Sequence, residues 1–113
     1  MTVDLFAGIA VRDYAAAVAW YERLLGGPPS FLPNDVEAVW EVAENRYFYI
    51  EVRPERAGHA MQTLFFSDFD ARLAEIAGRG LTPADFEVYD NGVRKALFRD
   101  PDGNEIGLGG APA

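Results

Sequence analysis

Phe86-Glu87-Val88-Tyr89-Asp90-Asn91-Gly92-Val93-Arg94-Lys95-Ala96-Leu97-Phe98-Arg99-Asp100-Pro101-Asp102-Gly103-Asn104-Glu105-Ile106-Gly107-Leu108 is the stretch that decides the fold. Two turn signatures cut it into three extended pieces. Asp90-Asn91-Gly92 separates Phe86–Tyr89 from Val93–Arg99 as a hairpin turn, because Asn and Gly tolerate positive φ. Asp100 to Asn104 makes a second turn, with Pro101 presetting φ and Gly103 taking the strained corner. Glu105–Leu108 then reads as a last short strand.

Upstream of this stretch lies a helix, and half a chain earlier lies a similar one. Val11-Arg12-Asp13-Tyr14 opens a helical segment ending near Gly26, and Phe66-Ser67-Asp68-Phe69 opens another ending at Gly80. Placed in register, Asp13 matches Asp68, Ala16 matches Ala71, Ala19 matches Ala74, and the apolar pairs Val18/Leu73 and Tyr21/Ile76 coincide. Asp13 and Asp68 read as N-caps whose carboxylates accept from first-turn amides, and Gly26 and Gly80 as left-handed C-terminal caps. The first half repeats the strands more loosely: one near Ser30–Leu32, one over Val36–Val42, a turn at Glu44-Asn45, and one over Arg46–Arg53.

The expected fold is therefore α+β, with two tandem βαβββ modules, about 1–54 and 59–110, in a single domain 1–113. Their strands form a curved mixed sheet around a pocket, with the helices on its convex face. Pro54 to Gly58 reads as the connector and Gly109 to Ala113 as a frayed tail. A ferredoxin-like α+β barrel also lays two helices on one curved sheet in this length, but it lacks three strands after each helix.

Composition narrows the setting. A chain of 113 residues that is 50% hydrophobic is long enough for one core. There is no cysteine, so neither disulfides nor thiolate metal ligands are available, and the expected compartment is the cytoplasm. No segment approaches a membrane span, and Met1–Asp13 does not resemble a signal peptide. A formal net charge of -8 opposes nucleic acid and anionic lipid, and suits a neutral or cationic partner.

Strand alternation assigns the faces. Ala7, Ile9 and Val11, then Phe48, Ile50 and Val52, then Leu64 and Phe66, and finally Ile106 and Leu108 form the set that packs on the helices. The opposite set holds Phe6, Tyr49, Glu51, Met61, Thr63, Phe65 and Gly107, and is too apolar for a plain solvent face. It reads as the lining of a cavity or an interface, with Phe6, Glu51, Met61 and Gly107 expected to converge on one hollow. Trp40 and Tyr49 are candidates to stack on a flat or cationic ligand, with plain packing as the alternative.

The chain resembles the vicinal oxygen chelate superfamily, which includes glyoxalase I, extradiol dioxygenases, fosfomycin resistance enzymes and bleomycin resistance proteins. Val11-Arg12-Asp13, Trp20 to Gly26, Tyr49-Ile50-Glu51-Val52, Ser67 to Ala71 and Asp100 to Asn104 carry the resemblance, in that order along nearly the whole chain. It implies four metal ligands, on the first and last strand of each module, which fall here at Phe6, Glu51, Met61 and Gly107. Only Glu51 is a ligand type, and a catalytic metal needs about three, so no metal and no cofactor are expected. His59, the one histidine, reads as a solvated loop residue unless the register brings it toward Met61.

The resemblance implies a metal-free binding protein of the bleomycin resistance kind, a homodimer with small-molecule pockets at the subunit boundary. The alternative is a lyase, isomerase or dioxygenase-like enzyme of the same fold, using Glu51 as a base or an incomplete metal site. Glu51 also reads as an ordinary strand glutamate paired with Arg53 or Arg46. A third possibility is a structural partner whose pocket is filled by its own side chains.

Overall fold

A computed structural model describes every residue from Met1 to Ala113. The chain runs β1 (Leu5–Val11), α1 (Tyr14–Leu25), β2 (Phe31–Asn34), β3 (Glu37–Ala43), β4 (Arg46–Val52), a 3-10 turn (Pro54–Arg56), β5 (Met61–Phe66), α2 (Phe69–Gly78), β6 (Asp85–Val88), β7 (Arg94–Arg99) and β8 (Glu105–Gly110). This is βαβββ twice, as the turn pattern predicts. Each module builds its own four-stranded sheet, ordered β1-β4-β3-β2 and β5-β8-β7-β6. The first strand of each module pairs parallel to its last, and the other pairs are antiparallel.

Local chemistry sets the ends of α1. The Asp13 carboxylate accepts from the Ala16 amide at 2.9 Å, and Gly26 stops the helix at φ 94°, a conformation that glycine adopts without steric cost. The second helix departs from the expected symmetry. Asp68 stands at the N-cap of α2, but its carboxylate accepts no amide and instead lies 3.4 Å from Arg72 Nε. The tail also differs from expectation: β8 continues through Gly109 and Gly110, which pair with β5 and β7 and are buried. Fraying is prevented because both neighbouring strands supply partners for those backbone groups.

One hydrophobic cluster spans both modules. It includes Ile9, Phe48 and Ile50 from the first sheet, Phe98, Ile106 and Leu108 from the second, and Tyr21 and Ile76 from the helices. The face assignment by alternation holds in all four module-end strands. Polar contacts reinforce the junction: Asp100, 5% exposed, accepts from the Tyr21 hydroxyl at 2.8 Å and from the Asp102 and Asn104 amides.

Burial first, and then the Asp100 charge and hydrogen bond, hold the Tyr21 hydroxyl well above its ordinary pKa. Above about pH 10 an unfolded Tyr21 loses its proton while the folded one keeps it, so the folded state binds more protons and stability falls as pH rises. Below that pH the contribution is fully present. We expect wild-type stability to fall about 1.4 kcal/mol more steeply per pH unit above pH 10 than that of Tyr21→Phe. Urea unfolding of both proteins at neutral and alkaline pH checks it, and parallel curves would refute it. The comparison isolates Tyr21 from Tyr47 and Tyr89, whose hydroxyls are also raised.

Candidate functional site

The face of the first sheet turned away from the helices is aromatic and acidic. Phe6 stacks on Tyr47 at 4.4 Å between ring centroids and 7° between planes. Tyr49 lies across Gly8, where a Cβ would come within 2.6 Å of the tyrosine ring, so the missing side chain is what lets the ring lie flat. In register beside these rings, Glu37 pairs with Glu51, Val39 with Tyr49, and Glu41 with Tyr47. Three carboxylates therefore flank three aromatic rings. Glu51 is ion-paired with Arg53, and Glu37 accepts from Asn34 Nδ2 at 2.6 Å.

Glu37 and Glu41 were not singled out from the sequence, although alternation along β3 carried the signal. Ala38, Trp40 and Val42 share one parity, and Glu37, Val39 and Glu41 the other. The same parity corrects the expectation for Trp40. It pairs with Phe48, is 4% exposed, and donates from Nε1 to the Gly27 carbonyl at 2.9 Å, on the helix side of the sheet. Trp40 cannot meet a ligand lying over Tyr49.

The matching face of the second sheet is less polar. Met61, Thr63 and Phe65 project from edge strand β5 and are exposed. The Phe65 ring lies against Gly109, and the Lys95 side chain crosses Gly107, where a Cβ would lie 2.6 Å from Lys95 Cε and 3.1 Å from Thr63 Oγ1. Lys95 makes no ion pair, while its neighbour Glu105 pairs with Arg99.

Phe6, Glu51, Met61 and Gly107 do not converge on one hollow within one chain. Of the four principal cavities, only one holds any of Phe6, Glu51, Met61 and Gly107, and it holds Glu51 alone, with Gly8, Ala10, Tyr49, Arg53 and Arg56. The expected single hollow is thus corrected to positions split between two sheets. Phe6 stays 47%, Phe65 63% and Met61 77% exposed, so the reading of a pocket filled by its own side chains also fails. His59 is exposed in the loop before β5.

The model of the glyoxalase/bleomycin resistance protein/dioxygenase superfamily matches residues 3–108. The chain belongs to that superfamily. A glyoxalase/bleomycin resistance protein from Catenulispora acidiphila DSM 44928 is 53% identical, with 98% of this chain and all of that one covered and a TM-score of 0.95. A bleomycin-binding protein solved with bleomycin shares the fold at 20% identity, covering 96% and 98% of the two chains, with a TM-score of 0.78. So does a lactoylglutathione lyase from Agrobacterium tumefaciens, at 16% identity, 97% and 94% coverage and a TM-score of 0.70. No curated protein matches the chain.

In metal-dependent members of the superfamily, the four strand positions hold the ion. Here they do not fit one. Phe6, Met61 and Gly107 offer no oxygen or imidazole donor, the Glu51 carboxylate is taken by Arg53, and the Lys95 cation reaches over Gly107. Nowhere in the chain do three or more His, Cys, Asp or Glu side chains gather closely enough to hold a metal.

Proposed function

We propose that this protein is a metal-independent small-molecule binder that takes flat or cationic organic compounds and acts as a homodimer. The observation that carries the reading is the face of the first sheet, where Phe6, Tyr47 and Tyr49 stand among Glu37, Glu41 and Glu51. Ring faces attract cations, and carboxylates at the rim add charge complementarity. The net charge of -8 works in the same direction. A bleomycin-binding protein of the same fold has been solved with bleomycin, which agrees with a ligand of this type.

The exposed apolar side chains support the homodimer. Phe6, Met61 and Phe65 are large apolar side chains whose exposure to water is costly. A twofold pair lets the aromatic face of one copy meet the Met61–Phe65 face of the other, twice per dimer, and completes each pocket from both chains.

Calorimetric titration tests the reading with metal-free bleomycin and a panel of planar organic cations. Binding is expected for at least one compound, and Tyr49→Ala is expected to weaken it roughly tenfold. Sedimentation is expected to give the mass of two chains. Tryptophan fluorescence is a poor reporter here, because Trp40 faces the helices and Trp20 packs edge-on against Tyr21 in α1. No heat from any compound, or a monomeric mass, would remove the support for this reading.

A further inference from the structure

The largest hollow in the chain lies between the two sheets, with Tyr47 of one face and Thr63 and Phe65 of the other at its border. A cavity of about 750 Å³ opens between the modules, bordered by Leu5, Tyr47 and Phe48 of the first and by residues 62–68 of the second. A smaller one of about 300 Å³ adjoins it beneath the C-terminal end of α1 and is bordered by Trp40. The two share Val42, Leu64, Phe66 and Arg72, so they form one cleft with a mostly hydrophobic wall.

Arg72 stands where the two hollows meet. Its guanidinium lies over the Phe66 ring, 4.8 Å from the centroid. Its Nε is the only buried side-chain nitrogen or oxygen in the chain without a hydrogen-bond partner. Asp68 Oδ2 pairs with it ionically at 3.4 Å without a hydrogen bond, the Arg72 side chain as a whole is 38% exposed, and Glu41 is the other carboxylate on the rim. A buried donor left without an acceptor is costly, and native proteins rarely keep one without a reason. Arg46 adds a second positive charge at the mouth.

We propose that this inter-module cleft is a second binding site, for an amphipathic organic anion whose carboxylate pairs with Arg72 while its apolar body lies along Val42, Leu64 and Phe66. The arginine supplies a planar, permanently charged fork suited to a carboxylate. The apolar wall supplies burial for the rest of the molecule. Because the chain as a whole repels anions, selectivity for one has to come from this local charge.

Octanoate and octan-1-ol separate the charge from the apolar body. Calorimetry, with Trp40 emission as a second readout because that ring borders the cleft, is expected to show octanoate binding and the alcohol at least roughly tenfold weaker. Arg72→Met is expected to bring octanoate down to the level of the alcohol, and Arg72→Lys to retain most of the preference. Tyr49→Ala is expected to leave octanoate binding unchanged. Equal affinity for acid and alcohol, unchanged binding by Arg72→Met, or no response to millimolar octanoate overturns the proposal. Loss of octanoate binding in Tyr49→Ala would move the ligand to the sheet face, sinking this site and leaving the proposed function standing.

Discussion

Asn104→Ala is expected to cost about 4 kcal/mol of stability, a large share of the roughly 5–15 kcal/mol that holds a domain of this size together. Asn104 is fully buried and uses its whole amide. Oδ1 accepts from the Gly58 and Ala60 amides at 3.1 and 2.9 Å, and Nδ2 donates to the Ala10 carbonyl and to Asp100 Oδ2 at 2.9 and 2.8 Å. One side chain thus ties the end of β1 and the inter-module connector to the turn before β8. Alanine strands two amides and a carbonyl in a site closed to water, at roughly 1–3 kcal/mol each before relaxation. Asn104→Asp should do no better, since it places a second carboxylate beside Asp100. Urea unfolding measures the change, and a loss below about 1 kcal/mol would show that these hydrogen bonds are replaced cheaply by water.

Gly110→Ala is expected to destabilise by about 3 kcal/mol, at the upper end of the range for overpacking a core. A Cβ there would lie 2.8 Å from Phe69 Cδ1 and closer still to Phe69 Cβ and Cγ. Phe69 is 2% exposed at the start of α2, and its Cβ cannot swing away because it is fixed to the helix backbone. The same substitution at Gly78 should have the opposite sign. Gly78 is the last residue of α2, with nothing within 4 Å of its would-be Cβ, so alanine there gains up to about 0.5 kcal/mol, less than in a helix interior. Thermal and urea unfolding of the two variants side by side checks both, and equal effects would mean that propensity, not the Phe69 contact, governs Gly110.

Both predictions concern residues whose sequence reading was thin. Asp100 to Asn104 was legible as a turn because Pro, Asp and Gly act on their immediate neighbours. Nothing local revealed that Asn104 reaches Ala10 or that Asp100 meets Tyr21, contacts that span most of the chain. Gly109-Gly110 looked like a fraying end, since glycine carries no side chain to announce its burial. Trp40 shows a different failure. The period of β3 was readable, and applying it would have placed Trp40 with Ala38 and Val42 on the helix side and brought Glu37 and Glu41 forward as site candidates.

The sequence by itself determined the two βαβββ modules and the faces of their strands, while the family and the four metal-ligand positions came from the resemblance its motifs carry. The modules and faces depend on periods of two and of 3.6 residues and on turn chemistry, which act over a few residues at a time. The tertiary structure alone decided that Phe6, Glu51, Met61 and Gly107 stay apart in one chain, that Arg72 stands with an Nε lacking a hydrogen bond in an inter-module cleft, and that Asn104 closes the junction. Those outcomes depend on how two modules dock, and docking is set by contacts between residues far apart in the chain, which no local pattern encodes.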